Sequence, residues 1–181
     1  MSSVRGVAAH GDRQAATAGP RTRGARRLTA ARGVLAQIND PEIPSVPIVE
    51  MGIVRDVREE GDDLVVEILP TFSGCPALEV IQQTVRAAIL DAGLGPLRLV
   101  TRTDLPWSTA MITETGQRRL REFGIVPPQR KLKAEDIACL NCGQRQVVLV
   151  SRFGATPCRA TARCRACGEP LEVFKPIGVE P

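Results

Sequence analysis

Apolar residues recur every three or four positions in parts of the chain, and this spacing predicts helices. The first such stretch predicts a short helix over residues 28–38, which ends before Asn39. The second predicts a helix that runs to Gly93, and a last helix is predicted over about residues 111–123. The apolar positions that define the first two helices are Leu28, Ala31, Leu35 and Ile38, followed by Leu78, Ile81, Val85 and Ala88.

Three other segments have the composition of strands. Residues 53–58 and 64–69 predict a β-hairpin whose turn is the acidic segment 59–63, and residues 97–101 predict a third strand. The segment DPEIPSVPIVEMG, residues 40–52, contains three prolines and predicts an extended loop. The resulting order is α-β-β-α-β-α, which indicates an α+β domain with its helices on one face of a small sheet.

Charge and proline divide the chain further. Residues 1–27 carry six basic residues and one acidic residue, and their Ala, Gly, Arg, Ser and Thr cannot form a core, so a disordered tail is expected. Two prolines and a charged run predict a linker over residues 127–136, between a domain at 28–126 and a smaller one at 137–177. No apolar run approaches the roughly 20 residues of a membrane span, so no membrane partner is expected.

Four of the six cysteines form two C-x2-C pairs with 21 residues between them, Cys139 with Cys142 and Cys164 with Cys167. This is the spacing of a zinc ribbon. A module of about 40 residues buries too little surface to fold alone, so a tetrahedral four-cysteine site would supply most of its folding free energy. The two C-x2-C turns would complete the coordination shell of the metal, which favours zinc over an iron–sulfur cluster. Cysteine ligands alone do not exclude iron. Metal-ligating cysteines also indicate a reducing cytoplasm.

The remainder of the ribbon leaves two questions. Cys158 is either a small buried hydrophobe on a strand or a further candidate metal ligand. Residues 139–175 carry six basic and two acidic residues, but their only aromatic residues are Phe153 and Phe174, a poor platform for stacking on bases. We therefore expect the ribbon to have a structural or protein-docking role rather than to bind nucleic acid.

Cys75 stands apart, more than sixty residues before the other five cysteines. It is predicted at the N-cap of the second helix, with Pro76 at the first helical position, where its missing N–H is harmless. The positive end of the helix dipole favours the thiolate, which is the form that acts as a nucleophile or a metal ligand. The alternative is a cysteine that merely replaces serine as a cap.

Three short motifs lie where predicted elements end. They are DPEIP from Asp40, TFSGCP from Thr71 and DLPW from Asp104. With the hairpin, they resemble the iron–sulfur cluster assembly (FSCA) domain family over about residues 28–126, and that family has the same α-β-β-α-β-α order. Leu105 departs from the second proline that many members have. The resemblance implies a site that handles iron or a cluster, formed by Cys75, Asp40, Glu42, Thr71 and Trp107.

With the four-cysteine ribbon added, the whole chain resembles the PaaD family, also labelled PaaJ, of D subunits of phenylacetyl-CoA epoxidase systems. That resemblance implies an accessory protein of aerobic phenylacetate degradation, beside a di-iron oxygenase and a flavin/[2Fe–2S] reductase. It implies structural zinc and a transient iron ion or iron–sulfur cluster. One cysteine cannot supply the usual four cluster ligands, so a cluster shared with a client or within a homodimer is also implied.

Several enzyme classes do not fit the residues present. The only histidine is His10, in the tail. Di-iron carboxylate sites, facial-triad iron sites and Cys–His dyads all require histidine within the folded part of the chain. The chain also lacks the G-x4-GK[ST] motif of nucleotide-driven transfer. We therefore expect an accessory subunit rather than an enzyme. Two interpretations stay open: a maturation factor that handles iron or clusters through Cys75, and a structural or interaction subunit in which Cys75 is inert.

Overall fold

The structure, a computed structural model, describes residues 20–72 and 74–178. Its first helix, α1, spans Pro20–Leu35, so it begins eight residues earlier and ends three residues earlier than predicted. The predicted end of the disordered tail at residue 27 falls inside α1, and residues 1–19 of that tail lie outside the described residues. The sequence pattern missed this earlier start because Arg27 packs through polar contacts, and apolar periodicity detects only packed apolar faces.

Arg27 makes the polar contacts that hold the first half of α1 against the domain. Its guanidinium donates to the carbonyl oxygen of Leu94 at 2.7 Å and to that of Asp62 at 3.0 Å. It also forms an ion pair with Glu59 at 3.3 Å. One side chain therefore fixes α1 to two separate turns.

Arg27→Ala is expected to lower the free energy of unfolding by about 1–2 kcal/mol, because the partly buried carbonyl of Leu94 loses a charged donor and Glu59 loses its ion pair. Arg26→Ala is the matched control, since Arg26 is exposed on the same helix. Urea unfolding of both variants measures the difference. Equal midpoints for the two variants would show that Arg27 contributes nothing specific.

The central sheet has three strands, β3 (Val54–Glu60), β4 (Asp63–Ile68) and β5 (Leu97–Thr101), in the order β3–β4–β5. Strands β3 and β4 form the predicted antiparallel hairpin, and β5 pairs in parallel with β4. The crossover between them contains α2 (Ala77–Asp91), whose buried face is Ala77, Ile81, Val85 and Ile89.

The proline-rich segment before β3 is not only a loop. It begins with two short strands, β1 (Asn39–Asp40) and β2 (Ile43–Pro47), which pair in an antiparallel ladder. The prediction of an extended loop is therefore wrong for this part. Prolines are tolerated because a two-stranded ladder consists only of edges, where a missing N–H leaves no central hydrogen bond unmade.

The last predicted helix, over residues 111–123, is divided into two. A single 3-10 turn spans Thr109–Met111, and α3 spans Glu114–Glu122. The division occurs because Thr113 caps α3, its hydroxyl accepting a hydrogen bond from the N–H of Gly116 at 3.0 Å. Apolar spacing carries no information about such a cap.

The C-terminal part forms a four-stranded sheet of β6 (Ile125–Val126), β7 (Val147–Ser151), β8 (Arg159–Cys164) and β9 (Pro170–Phe174), in the order β6–β9–β8–β7. A 3-10 turn spans Ala134–Asp136 between β6 and β7. Strand β6 was assigned to the first domain by the sequence, but it pairs in parallel with β9 of the ribbon.

The ribbon also shares a core with the first domain. Cys158 and Phe174 belong to the same cluster of buried residues as Trp107, and the rings of Trp107 and Phe174 lie 6.2 Å apart between centroids. A second, smaller cluster lies within the ribbon around Cys139 and Cys164. Among the helices that the structure describes, none combines the length and the apolar character needed to cross a membrane.

Candidate functional site

The two C-x2-C pairs come together at one end of the ribbon. In each pair a tight turn brings the thiols to one side, with the N–H of Gly143 bonded to the carbonyl of Cys139 and that of Gly168 bonded to the carbonyl of Cys164, both at 2.9 Å. Both glycines have positive φ, +72° and +81°, which a residue with a side chain rarely adopts. The fold therefore requires glycine directly after each pair.

The four thiols have the arrangement of a metal-binding group. The sulfur atoms of Cys139, Cys142, Cys164 and Cys167 all lie within 4.8 Å of one another. The Cys139–Cys167 and Cys142–Cys164 sulfur separations are 3.7 Å and 3.6 Å. Tetrahedral coordination with metal–sulfur bonds of about 2.3 Å gives sulfur–sulfur separations of about 3.8 Å. The ribbon therefore has a four-cysteine site that matches a tetrahedral metal ion.

Two of these thiols differ in acidity for local reasons. A hydrogen bond from the backbone N–H of Cys167 is the main cause that lowers the pKa of the Cys164 thiol to about 7. At Cys142 the backbone N–H of Gln144 lowers the pKa, but the surrounding sulfur atoms outweigh it and raise the pKa to about 12. Binding of a metal ion would release the protons of these thiols.

Cys75 lies in the segment between β4 and α2. The N-cap of α2 is Pro76, and no side chain caps this helix, so the predicted capping position of Cys75 is wrong by one residue. The Cys75 sulfur instead accepts a hydrogen bond from the hydroxyl of Thr71 at 3.6 Å. Gly74, with φ of +80°, turns the chain into this position.

Cys75 is partly buried and lines a small pocket. The pocket brings it together with Asp40, Glu42 and Thr71. It has about 10 Å³ of space for the centre of a water-sized sphere, which is room for one water molecule or one ion of similar size. Its apolar lining consists of Ile43, Met51, Ile53, Leu69, Pro70, Leu78, Ile81 and Phe174.

The two carboxyl groups of the pocket are held by the turn between β1 and β2. Asp40 is only 6% exposed, and its Oδ1 accepts a hydrogen bond from the N–H of Glu42 at 2.8 Å. Burial raises the pKa of Asp40, against the lowering effect of that N–H. Burial and the nearby Asp40 carboxyl raise the pKa of Glu42. Loss of solvent around the carboxyl group is the larger cause of both shifts.

Trp107 lies beside this pocket rather than in it. It is buried, and its Nε1 donates to the carbonyl of Met51 at 3.0 Å. It lines a neighbouring groove of about 530 Å³ that also contains Gly74 and Asp104. The groove and the pocket share Pro70, Thr71 and Leu78. Trp107 therefore lies next to the pocket of Cys75 but does not line it.

The start of the DLPW loop is fixed by an ion-pair chain. Arg102 pairs with the buried Glu67 at 3.0 Å and with Asp104 at 2.7 Å. The hydrogen bond from Arg102 lowers the pKa of Asp104 to about 2. The carboxyl of Asp104 is thus engaged with arginine and is not available to the pocket of Cys75.

Comparison with known families matches both parts of the chain. Residues 28–95 match the family described as "Iron-sulfur cluster assembly protein", and residues 126–175 match the family described as "PaaD zinc beta ribbon domain". A protein of Escherichia coli (strain K12), named as the "Putative 1,2-phenylacetyl-CoA epoxidase" D subunit, is 38% identical over 148 residues, which cover 80% of this chain and 90% of that protein. The chain belongs to the PaaD family.

A solved structure supports the fold of the first part of this PaaD-family chain. The crystal structure of a domain of unknown function, DUF59, from Bacillus anthracis superimposes with a TM-score of 0.50 and 22% identity. The superposition covers 55% of this chain and 96% of the Bacillus anthracis chain. At this identity the likeness concerns the fold alone. With the family matches and the four-cysteine group, it confirms the predicted α+β, FSCA-like fold followed by a ribbon.

The PaaD-family ribbon contributes to the pocket of Cys75 through residues that the sequence did not single out for it. Cys158, 5% exposed, lines the same pocket and lies outside the metal-binding quartet. The next residue, Arg159, is 7% exposed; it pairs with Glu172 at 2.5 Å and donates to the backbone carbonyl of Glu42 at 3.2 Å. Strand β8, with the sequence RATARC, also contains the exposed Arg163, so no signal in the sequence marks Arg159 as the buried arginine.

Proposed function

We propose that this protein is a non-catalytic accessory factor that holds iron or an iron–sulfur cluster at Cys75 and passes it to subunits of a phenylacetyl-CoA epoxidase in the cytoplasm. The observation that carries the proposal is the convergence of a partly buried thiol and two carboxyl groups, those of Asp40 and Glu42, on one pocket. A thiolate is a soft ligand and a carboxylate a hard one, and iron accepts both.

The pocket has the properties expected of a temporary site rather than a permanent one. Cys75 is only partly buried, so a partner can approach it. Its donors do not converge as closely as the ribbon thiols, which form a group within 4.8 Å. A site with few and separated donors binds its cargo weakly, and weak binding allows transfer to a client that offers a complete set of ligands.

For the ribbon we propose zinc as the resident metal, held by Cys139, Cys142, Cys164 and Cys167. The sulfur separations of 3.6 Å and 3.7 Å fit its tetrahedral geometry. Four thiolates leave no open position for substrate, so the ion supplies folding free energy and no chemistry. Its role is to fix the loop that carries Cys158 and Arg159 against the first domain.

The clients follow from the family. The E. coli relative is named as an epoxidase subunit, and the PaaD resemblance implies a [2Fe–2S] reductase and a di-iron oxygenase as the metal-containing partners. We propose that one or both receive iron or a cluster from this protein. The remaining cluster ligands would come from the client or from a second copy of this chain, because one cysteine supplies only one of the usual four.

A transfer assay tests this function. The protein is loaded anaerobically with ferrous iron and sulfide, freed of excess, and mixed with the apo-reductase or the apo-oxygenase. We expect the client to gain activity faster with the loaded protein than with the same amount of iron and sulfide in solution. If loaded protein activates neither client faster than free iron and sulfide do, the proposal is wrong.

A second candidate is an interaction subunit in which Cys75 is inert. The groove of about 530 Å³ that contains Phe72, Leu105 and Trp107 favours it, since such a groove can accept a segment of another subunit. Under this alternative, substitutions in the groove impair assembly of the epoxidase, whereas substitution of Cys75 has no effect. The two functions are therefore separated by variants of the same protein.

A further inference from the structure

We infer that the ribbon supplies a second thiol ligand, Cys158, to the ion held at Cys75. The site would take one divalent transition-metal ion, with ferrous iron as the natural cargo, between the two sulfurs and the carboxyl group of Asp40. This inference rests on the proposed function, and it assigns to the ribbon a direct part in binding the cargo.

The first observation is that the two thiols share one pocket although they are far apart in the chain. Cys75 precedes α2, and Cys158 directly precedes β8, yet both line the same small cavity together with Asp40 and Glu42. Two thiols and two carboxyl groups around a space for one ion make a donor set typical of iron or zinc.

The second observation is that Cys158 is held in this position by several contacts. Its carbonyl accepts a hydrogen bond from the N–H of Lys175 at 2.9 Å, and its sulfur lies 3.0 Å from the hydroxyl oxygen of Thr156. The neighbouring Arg159 bonds the carbonyl of Glu42 at 3.2 Å. The ribbon is thereby fastened to the turn that carries Asp40 and Glu42, next to the thiol.

The third observation concerns size and freedom of movement. The space of about 10 Å³ accepts a single ion, so a cluster held at Cys75 would lie outside the pocket, between this protein and a partner. In the described part of the chain, only the ribbon quartet forms a group of three or more donors within 4.8 Å, so the donors at Cys75 must approach one another to bind. Cys75 lies in the connection between β4 and α2, outside both elements, so its approach to the other donors requires no change within the sheet or the helix.

Cobalt(II) added anaerobically to the zinc-loaded protein is the probe. X-ray absorption at the cobalt edge counts the sulfur ligands of the added ion, and zinc content measured in the same sample shows that the ribbon is intact. We expect two sulfur ligands in the wild type and one in Cys158→Ala and in Cys75→Ser. We expect cobalt affinity to fall at least about tenfold in each variant. Ala155→Ser, an exposed change in the same loop, is the matched control.

The outcomes separate the inference from the proposed function. One sulfur ligand in the wild type, with unchanged cobalt affinity in Cys158→Ala, overturns the inference and leaves Cys75 as the sole thiol of the site. No cobalt beyond the ribbon in the wild type overturns both. If Cys158→Ala does not fold, the sulfur count of the wild type decides alone.

Discussion

Cys75→Ser is expected to reduce activation of the epoxidase clients at least about a hundredfold while leaving the fold intact. The loss follows because a hydroxyl is a poor ligand for a soft metal ion, and loss of a ligand costs at least as much as the 10–100-fold effect of its supporting residues. The free energy of unfolding should change by no more than about 1 kcal/mol, because the serine hydroxyl can still bond the hydroxyl of Thr71.

Substitutions of the other site residues show how much each contributes to activation of the clients. Asp40→Asn and Glu42→Gln should weaken the same activity less than loss of the thiol, since each removes only one hard donor. Trp107→Phe should also have a smaller effect, because it removes the hydrogen bond to Met51 but keeps a ring against Phe174. Val80→Ser, on the exposed face of α2, is the control.

If Cys75→Ser activates reductase and oxygenase as well as the wild type, cluster handling is wrong and the interaction-subunit function replaces it.

Loss of the ribbon metal should unfold residues 139–175 and leave the helices of the first domain largely intact. Structural zinc contributes on the order of 10 kcal/mol to small domains of this kind, which exceeds what the small second core can supply. A strong chelator, or the double substitution Cys139→Ser/Cys164→Ser, removes the ion. Hydrogen exchange should show loss of protection in β7, β8 and β9, and retained protection in α2.

The single tryptophan reports the same event optically. Trp107 packs against Phe174 of β9, so unfolding of the ribbon should expose the indole and shift its fluorescence to longer wavelength. Ala155→Ser is the control, because Ala155 is exposed and lies outside the quartet, so this change should leave zinc in place. Stoichiometric zinc in the double-serine variant would contradict the assignment of the four ligands.

The parts of the fold that the sequence predicted well are those fixed by local patterns. Strand β5 has the predicted bounds, 97–101, because its apolar residues alternate along one short segment. The metal quartet was equally clear, since two C-x2-C pairs followed by glycine need no knowledge of the rest of the chain. Strands β1 and β2 were missed because three prolines made their segment resemble a loop, and the early start of α1 was missed because Arg27 packs through hydrogen bonds.

The pocket was only half predictable for a related reason. Asp40, Glu42, Thr71 and Cys75 belong to motifs at the ends of elements, and the topology brings such ends together. Cys158 reaches the same pocket only because the ribbon packs on the first domain through Arg159 and Phe174. No periodicity or spacing encodes a contact between parts so distant in the chain. The sequence could classify Cys158 only as a buried residue or as a metal ligand of unspecified site.

The iron and acid-labile sulfide content of anaerobically loaded protein tests the central claim most directly, with wild type and Cys75→Ser measured side by side. Zinc measured in the same samples reports the ribbon. The account predicts iron in the wild type in addition to the ribbon metal, and loss of that iron from Cys75→Ser with the zinc unchanged. Equal iron in both proteins, or none in the wild type, would contradict it.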